Sequence, residues 1–191
     1  MYLSDYHTHC TLSFDSETPA EDMVRAGIAA GMQEICLTDH VDLFETGSTE
    51  RWAHDFSDRE AVFARAERAA AGRLIVRRGI ELGEAARNPA YADELLARLP
   101  GLDFIIGSQH QLSEKYGYTD LYFMPGGTEE EACAQIADYL PLMLETAKLG
   151  KFSVLGHLTL PLRYMNENHG LHMSFDGFED EMAQILRTVI E

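Results

Sequence analysis

Histidine and carboxylate side chains recur at the ends of short apolar segments along this sequence. His7 and His9 form a His-x-His pair after the first such segment. The later segments end in further ligand-type residues: Asp39 and His40, then Glu81, His110 and His157. In an extended strand, side chains two residues apart point to the same side, so both imidazoles of the pair face one way. Imidazoles and carboxylates without thiolates suit catalytic zinc, manganese or iron, and the pattern therefore predicts a site for divalent metal ions.

Each of these residues taken alone also has an ordinary structural explanation. A single histidine such as His110 at a strand end is more often a hydrogen-bonded structural residue than a metal ligand. Asp39 and His40 could form a turn or a helix cap, and Glu81 could pair with a neighbouring arginine. All five segments end in ligand-type residues, and such a coincidence is improbable by chance. Buried charges at that density also need one another, or a metal, to be tolerated.

The elements that must position these residues alternate between strand and helix. We predict strands over 2–7, 34–38, 74–81, 103–108 and 152–156, and helices over 19–30, 58–71, 90–98, 129–149 and 175–190. Thr18, Ser57 and Thr128 are the predicted N-caps of three of these helices. Strands that alternate with helices predict a parallel sheet in an α/β fold. In parallel βα barrels the site lies at the carboxyl ends of the strands, which is where these residues fall.

The strand count predicts an open sheet rather than a closed barrel. Five parallel strands leave two unpaired edges, and unpaired edges favour association. We therefore expect a single domain over residues 1–191 that lacks its last strands. Either self-association or a partner chain would then complete the barrel.

Composition excludes several classes of partner. The 191 residues include 32 acidic and 15 basic side chains, which gives a formal net charge of −17. That field repels nucleic acid, and a phosphate substrate would need cations in its site. No run approaches the roughly 20 apolar residues of a membrane span, and the start of the chain lacks leader features. The three cysteines are widely spaced and fit neither a disulfide framework nor a zinc motif, so we expect a cytoplasmic protein without membrane partners.

Two long polar segments, 41–57 and 111–127, are expected to be functional loops. His54, His169 and His172 fall outside the strand-end pattern and are interpreted as surface or substrate-loop residues. Trp52 and the loop tyrosines at positions 116, 118 and 122 could line a substrate pocket or simply pack the loops.

The ordered motifs resemble those of the polymerase-and-histidinol-phosphatase (PHP) superfamily. They are Asp5-Tyr6-His7-Thr8-His9, Thr38-Asp39-His40, Gly79-Ile80-Glu81, Ser108-Gln109-His110 and Gly156-His157-Leu158. The arrangement is most similar to the histidinol-phosphatase branch, in which Arg163 would match a phosphate-contacting arginine. The resemblance covers nearly the whole chain.

This resemblance implies a distorted (β/α)7 TIM-like barrel of PHP type and a site for two to three divalent ions (Zn, Mn or Fe). The three implied ligand sets are His7, His9 and Glu81; Glu81, His110 and His157; and Asp15 with His40. Family members end with a Ser-Asp-x-His-like motif, and this sequence ends at Glu191 before it. The expectation is a barrel incomplete at its C-terminus and a third metal with two protein ligands.

The implied reaction is hydrolysis of a small phosphate monoester by a metal-bridging hydroxide, with L-histidinol phosphate giving L-histidinol and phosphate. Arg163 would bind the phosphate in bidentate fashion, and Asp39 would orient a neighbouring ligand or relay a proton. Two alternatives stay open at this point. One is another PHP phosphoesterase that acts on phosphotyrosine or a different small ester, and the other is a non-catalytic metal-binding fragment.

Overall fold

The computed structural model describes residues 1–190, which form an α/β fold around one parallel sheet. The strands are β1 (Ser4–Thr8), β2 (Glu34–Leu37), β3 (His40–Asp42), β4 (Ile75–Gly83), β5 (Phe104–Ser108) and β6 (Val154–Leu155). Their order is β1-β2-β4-β5-β6, β3 pairs with β4, and every pairing is parallel. The predicted α/β fold with a parallel sheet is confirmed.

The short strand β3 continues β2 after a two-residue interruption. Leu37 of β2 lies opposite Arg78, and His40 of β3 lies opposite Glu81, so both segments keep the same offset along β4. The sheet therefore has five strand positions, as predicted, and the second position is interrupted.

Six α-helices connect and cover the strands. They are α1 (Ala20–Ala29), α2 (Arg59–Ala70), α3 (Pro89–Ala97), α4 (Glu129–Leu149), α5 (Leu160–Arg163) and α6 (Glu179–Ile190). The short α5 was not predicted. The last helix begins four residues later than predicted, because Gly177 adopts a φ of +86° and a helix cannot run through it. No helix in this part of the chain has the length and apolar character that a membrane crossing requires.

Only one of the three predicted N-caps is formed. Thr128 accepts a hydrogen bond from the backbone N–H of Glu131, whose side chain accepts one from the backbone of Thr128, which is a capping box. Thr18 and Ser57 are wrong as caps, because α1 and α2 begin one residue later than predicted and neither has a side-chain cap. The carbonyl of Thr18 instead accepts a hydrogen bond from Thr11 in the turn after β1.

The sheet curls until its two edge strands approach each other at their carboxyl ends. His7 belongs to β1 at one edge, and His157 follows β6 at the other, yet their ring centroids are 5.6 Å apart. Four strand spacings in a flat sheet would separate these edges by roughly 19 Å. This curl is the geometry of a partial barrel, and it encloses the carboxyl ends of all the strands.

Candidate metal centre

Five imidazoles form a closed ring around one buried carboxylate at the carboxyl end of the sheet. Neighbouring ring centroids are separated by 4.6–5.6 Å in the order His7, His9, His40, His110 and His157. Glu81 lies at the centre and is 1% exposed. The sequence-predicted ligands are thus brought together in one cluster.

Each of the five histidines directs its Nε2 atom towards Glu81. The Nε2 atoms of His7 and His9 lie 2.9 and 3.0 Å from Oε2 of Glu81. Those of His110 and His157 lie 3.0 and 2.6 Å from Oε1. Nε2 of His40 is more distant and lies 3.8 Å from Oε2 of Glu81. Both carboxylate oxygens are therefore shared between two or more imidazoles, which is the placement that a carboxylate bridging two cations requires.

The parallel strands explain why residues so distant in sequence meet here. Glu81 lies on β4 directly opposite His40 of β3, and the hydroxyl of Ser108, the last residue of β5, donates a 2.6 Å hydrogen bond to it. Because all strands run in the same direction, residues that end each strand or follow it emerge on one side of the sheet.

Asp15 extends the cluster beyond the ring. Its carboxylate lies 2.9 Å from Nδ1 of His9 and 3.6 Å from Nε2 of His40. Partial burial opposes charge on Asp15, but the hydrogen bond from His9 and attraction to both histidines hold its pKa well below its usual range.

Asp42 also belongs to the cluster, although the sequence did not suggest it. It is buried, and its carboxylate lies 3.2 Å from Nδ1 of His110 and 3.3 Å from Nδ1 of His40. The sequence predicts a loop that begins at Val41, whereas Asp42 lies on β3. Its position two residues after His40 was an available signal, because that spacing places both side chains on one face of a strand.

The electrostatic balance favours charge on His40 and His110 in the metal-free chain, whereas burial lowers the pKa of His157. Burial opposes charge on His40, but attraction to the nearby carboxylates of Asp15 and Asp42 prevails and raises its pKa to about 10. Burial likewise opposes charge on His110, and attraction to Asp42 together with hydrogen bonds raises its pKa well above the usual value. The pKa of Glu81 is strongly lowered despite its burial, because it accepts hydrogen bonds from the surrounding histidines. A bound cation would replace these protons.

Asp39 occupies a different environment from the other predicted site residues. It is 1% exposed, and its Oδ1 accepts a 2.6 Å hydrogen bond from the backbone N–H of Cys10. Its second oxygen lies 3.3 Å from the Cys10 thiol. Asp39 therefore fixes the backbone next to His9 from beneath the cluster. This contact fits the predicted orienting role, and proton relay remains a prediction without a contact that supports it.

The donor atoms can be grouped into four candidate metal positions whose members lie within 4.8 Å of one another. The groups are His7, His9 and Glu81; His9, Asp15 and His40; His40, Asp42 and His110; and Glu81, His110 and His157. Nδ1 of His157 is buried and finds no hydrogen-bond partner within residues 1–190. Nε2 of His9 and Nδ1 of His40 are also buried, and they face carboxylates at 3.0 and 3.3 Å without the geometry of a hydrogen bond. Unpaired imidazole nitrogens beside carboxylates fit divalent transition metals.

A cavity of about 580 Å³ opens above the cluster. Arg163, at the end of α5, lines it with 67% of its side chain exposed, 3.8 Å from Glu167. Trp52 packs beside the cavity mouth on Phe14, with ring centroids 5.1 Å apart. His54 and His169 contact backbone carbonyl oxygens instead of the cluster, and His172 is exposed.

A curled parallel sheet with imidazoles and carboxylates gathered at its strand ends defines a metal-binding α/β protein of the TIM-like barrel type. Residues 5–191 match the model of the PHP domain. The chain belongs to the PHP domain family.

Similarity to named proteins supports the assignment to the PHP domain family. The chain is 29% identical over 166 residues to the histidinol-phosphatase of Lactococcus lactis, which covers 84% of this chain and 58% of the relative. It is 26% identical over 170 residues to a Deinococcus radiodurans protein named "Probable histidinol-phosphatase", covering 85% of this chain and 62% of the relative. The chain thus spans about three fifths of the length of these relatives.

Two solved structures share the fold. Histidinol phosphate phosphatase from Lactococcus lactis, complexed with zinc, L-histidinol and phosphate, aligns with a TM-score of 0.79 at 23% identity. That alignment covers 97% of this chain and 68% of the other. A structure from Listeria monocytogenes aligns with a TM-score of 0.72 at 20% identity, over 98% and 78% of the two chains.

Proposed function

We propose that this chain carries the metal-dependent active site of a phosphomonoesterase whose substrate is L-histidinol phosphate. The observation that carries the proposal is the ring of five imidazoles around Glu81, which opens into a cavity that an arginine also lines. The products would be L-histidinol and inorganic phosphate.

The metal-holding residues are assigned by proximity. His7, His9 and Glu81 would hold one divalent ion, and Glu81, His110 and His157 a second. Asp15 and His40 would hold part of a third, with His9 or Asp42 within reach. Bound divalent ions supply Lewis acidity and lower the pKa of a coordinated water towards ~7. The identity of the ions, among zinc, manganese and iron, belongs to the proposal.

Arg163 is assigned to the phosphate group. Among the described residues that line the cavity it is the one lysine or arginine, whereas Asp15, Asp42, Glu81 and Asp120 contribute carboxylates. A phosphate dianion entering such a cavity would be repelled unless cations offset these carboxylates. The exposed guanidinium can donate two parallel hydrogen bonds to phosphate oxygens and stabilise the charge that develops on them.

The substrate assignment rests on the relatives. Two of the similar proteins are named as histidinol-phosphatases, and the Lactococcus lactis structure holds L-histidinol and phosphate together with zinc. The fold and the ligand groups of this chain are compatible with the same chemistry. Phosphotyrosine and other small esters are competing substrates that direct comparison would separate.

The test is metal content and phosphate release, measured on the same preparation. Inductively coupled plasma mass spectrometry should find two to three equivalents of a divalent ion per chain, and L-histidinol phosphate should be hydrolysed faster than phosphotyrosine. His9→Ala should abolish turnover, whereas the control His172→Ala, an exposed histidine outside the cluster, should retain it. Full metal occupancy without hydrolysis of any ester would refute the catalytic assignment and favour a metal-binding module.

A further inference from the structure

Exposed aromatic side chains are concentrated at the cavity above the imidazole cluster. Four aromatic residues within residues 1–190 are largely exposed: Tyr2, Phe14, Tyr122 and Phe123, at 62–64%. Three of them, all except Tyr2, line the cavity. Apolar rings that gather around one opening mark a surface that a ligand covers.

These rings are held in place although they are exposed. Phe14, in the turn after β1, stacks on His40 and on Trp52 with centroid distances of 4.9 and 5.1 Å. Tyr122, in the loop after β5, makes edge contacts with Phe123 at 5.0 Å and with Tyr164 at 5.7 Å. The contacts order the rings before any ligand binds, which lowers the entropy cost of binding.

Tyr122 lies close to the part of the cavity where Arg163 is assigned to the phosphate group. Its partner Tyr164 directly follows Arg163, which also lines the cavity. The side chain of Asp120 accepts a 2.8 Å hydrogen bond from the backbone N–H of Tyr122 and fixes the loop there. An ester whose phosphate contacts Arg163 would therefore extend its alcohol portion past aromatic rings.

We propose that Phe14, Tyr122 and Phe123 form a subsite for a flat organic ring in the alcohol portion of the substrate. This inference rests on the proposed function and names the part of the substrate that the chain recognises. Aromatic rings pair in offset or edge-to-face geometry at centroid distances of 4.5–7 Å, and a protonated heteroaromatic ring gains cation–π attraction in addition. The imidazole of L-histidinol phosphate is a flat aromatic ring, and it gains the cation–π attraction when it is protonated.

The experiment compares two esters that differ in the ring alone. L-histidinol phosphate carries the imidazole, and 2-aminopropyl phosphate keeps the ester and the ammonium group but lacks the ring. The ratio of their kcat/KM values measures ring recognition. Tyr122→Ala and Phe123→Ala should each lower this ratio by about two- to twelve-fold, the range expected for an aromatic pair.

The matched control is Tyr2→Ala. Tyr2 is 63% exposed and Tyr122 is 62% exposed, but Tyr2 lies outside the cavity and its hydroxyl donates to Glu34. Its substitution should leave the ratio unchanged. Because the rings of Tyr122 and Phe123 are exposed, their removal opens no core cavity, and folding of each variant is checked by thermal unfolding.

The possible failures are distinguishable. An unchanged ratio in Tyr122→Ala and Phe123→Ala, with L-histidinol phosphate still hydrolysed by the unsubstituted chain, overturns the subsite and leaves the proposed function standing. If the chain instead hydrolyses 2-phenylethyl phosphate in preference to ethyl phosphate, and the variants remove that preference, the subsite stands and the substrate assignment fails. Hydrolysis of none of these four esters by the metal-loaded chain overturns both.

Discussion

Filling the metal centre should expel protons from the cluster, because two of the imidazoles that would bind metal, His40 and His110, are charged in its absence. His40 faces Asp15 and Asp42, and His110 faces Asp42, so both have raised pKa values, about 10 for His40. A metal ion binds the neutral imidazole, so each of these two histidines must lose its proton. At pH 7.5 we expect release of about two protons as the cluster is filled with zinc.

The magnitude of the pH dependence follows from this count. Release of about two protons changes the apparent zinc affinity by about 100-fold per pH unit, or about 2.7 kcal/mol. The apparent zinc affinity should increase as the pH rises. The stability of the metal-free chain changes with pH in the opposite direction. A raised histidine pKa contributes stability that is complete below about pH 6.5 and is lost as the pH rises through the folded-state pKa. The increase in melting temperature caused by zinc should therefore grow from pH 6.5 upwards.

Isothermal titration calorimetry provides the assay. Titration of zinc into the metal-free chain in two buffers of different ionisation enthalpy gives the number of protons released. His40→Asn should reduce that number by about one, whereas His172→Asn, at an exposed position outside the cluster, should leave it unchanged.

Tight zinc binding with almost no proton release would refute this reasoning. It would mean that His40 and His110 are neutral without metal, and that Asp15 and Asp42 do not hold charge on them. The geometric grouping of the ligands would survive that result, but the electrostatic account of the cluster would not.

Three further predictions concern single residues. Arg163→Ala should raise KM for L-histidinol phosphate and lower kcat in steady-state assays, because the phosphate loses its guanidinium partner; unchanged values would remove its assigned role. Gly83→Ala should weaken zinc binding at least about tenfold in calorimetry, since a Cβ there would overlap the Asp42 carboxylate. The control Gly79→Ala, whose Cβ would press on Cys36 Sγ at 2.6 Å, should reduce stability but leave zinc affinity intact. Thr128→Ala should lower the free energy of unfolding by about 1 kcal/mol in urea titrations through loss of the α4 cap, and unaltered stability would contradict the capping box.

The sequence predicted the strands and the convergence of their ends because both follow from local patterns and strand direction. An apolar segment ending in a ligand-type residue is visible without any tertiary contact, as at His7 or Glu81. Once the strands are taken as parallel, their carboxyl ends must lie on one side. The catalytic roles of these residues remain predictions, since proximity alone assigns no step.

The missed residue, Asp42, shows where local patterns fail. The strand β3 has three residues, and it exists because its neighbour β4 extends nine residues to Gly83 and offers backbone partners. The spacing of Asp42 from His40 is compatible with a strand, but nothing in the polar segment from Val41 onwards indicates that a neighbouring strand pairs with it. The absence of a side chain at Gly83 then leaves the space that the Asp42 carboxylate and Nδ1 of His110 occupy. Both facts depend on a neighbouring strand, which a local pattern cannot supply.

The central place of Glu81 follows from strand order combined with curl. The strand positions succeed one another across the sheet in sequence order, so the third position, β4, has two neighbours on each side. When the sheet curls, His7 on β1 and His157 after β6 approach the middle strand from opposite edges, and both can reach the same carboxylate. A carboxylate on an edge strand would meet the imidazoles of one neighbour alone. A shared ligand on the middle strand is therefore the arrangement that a curled five-position parallel sheet favours, and the buried charge of Glu81 is tolerated because five imidazoles surround it.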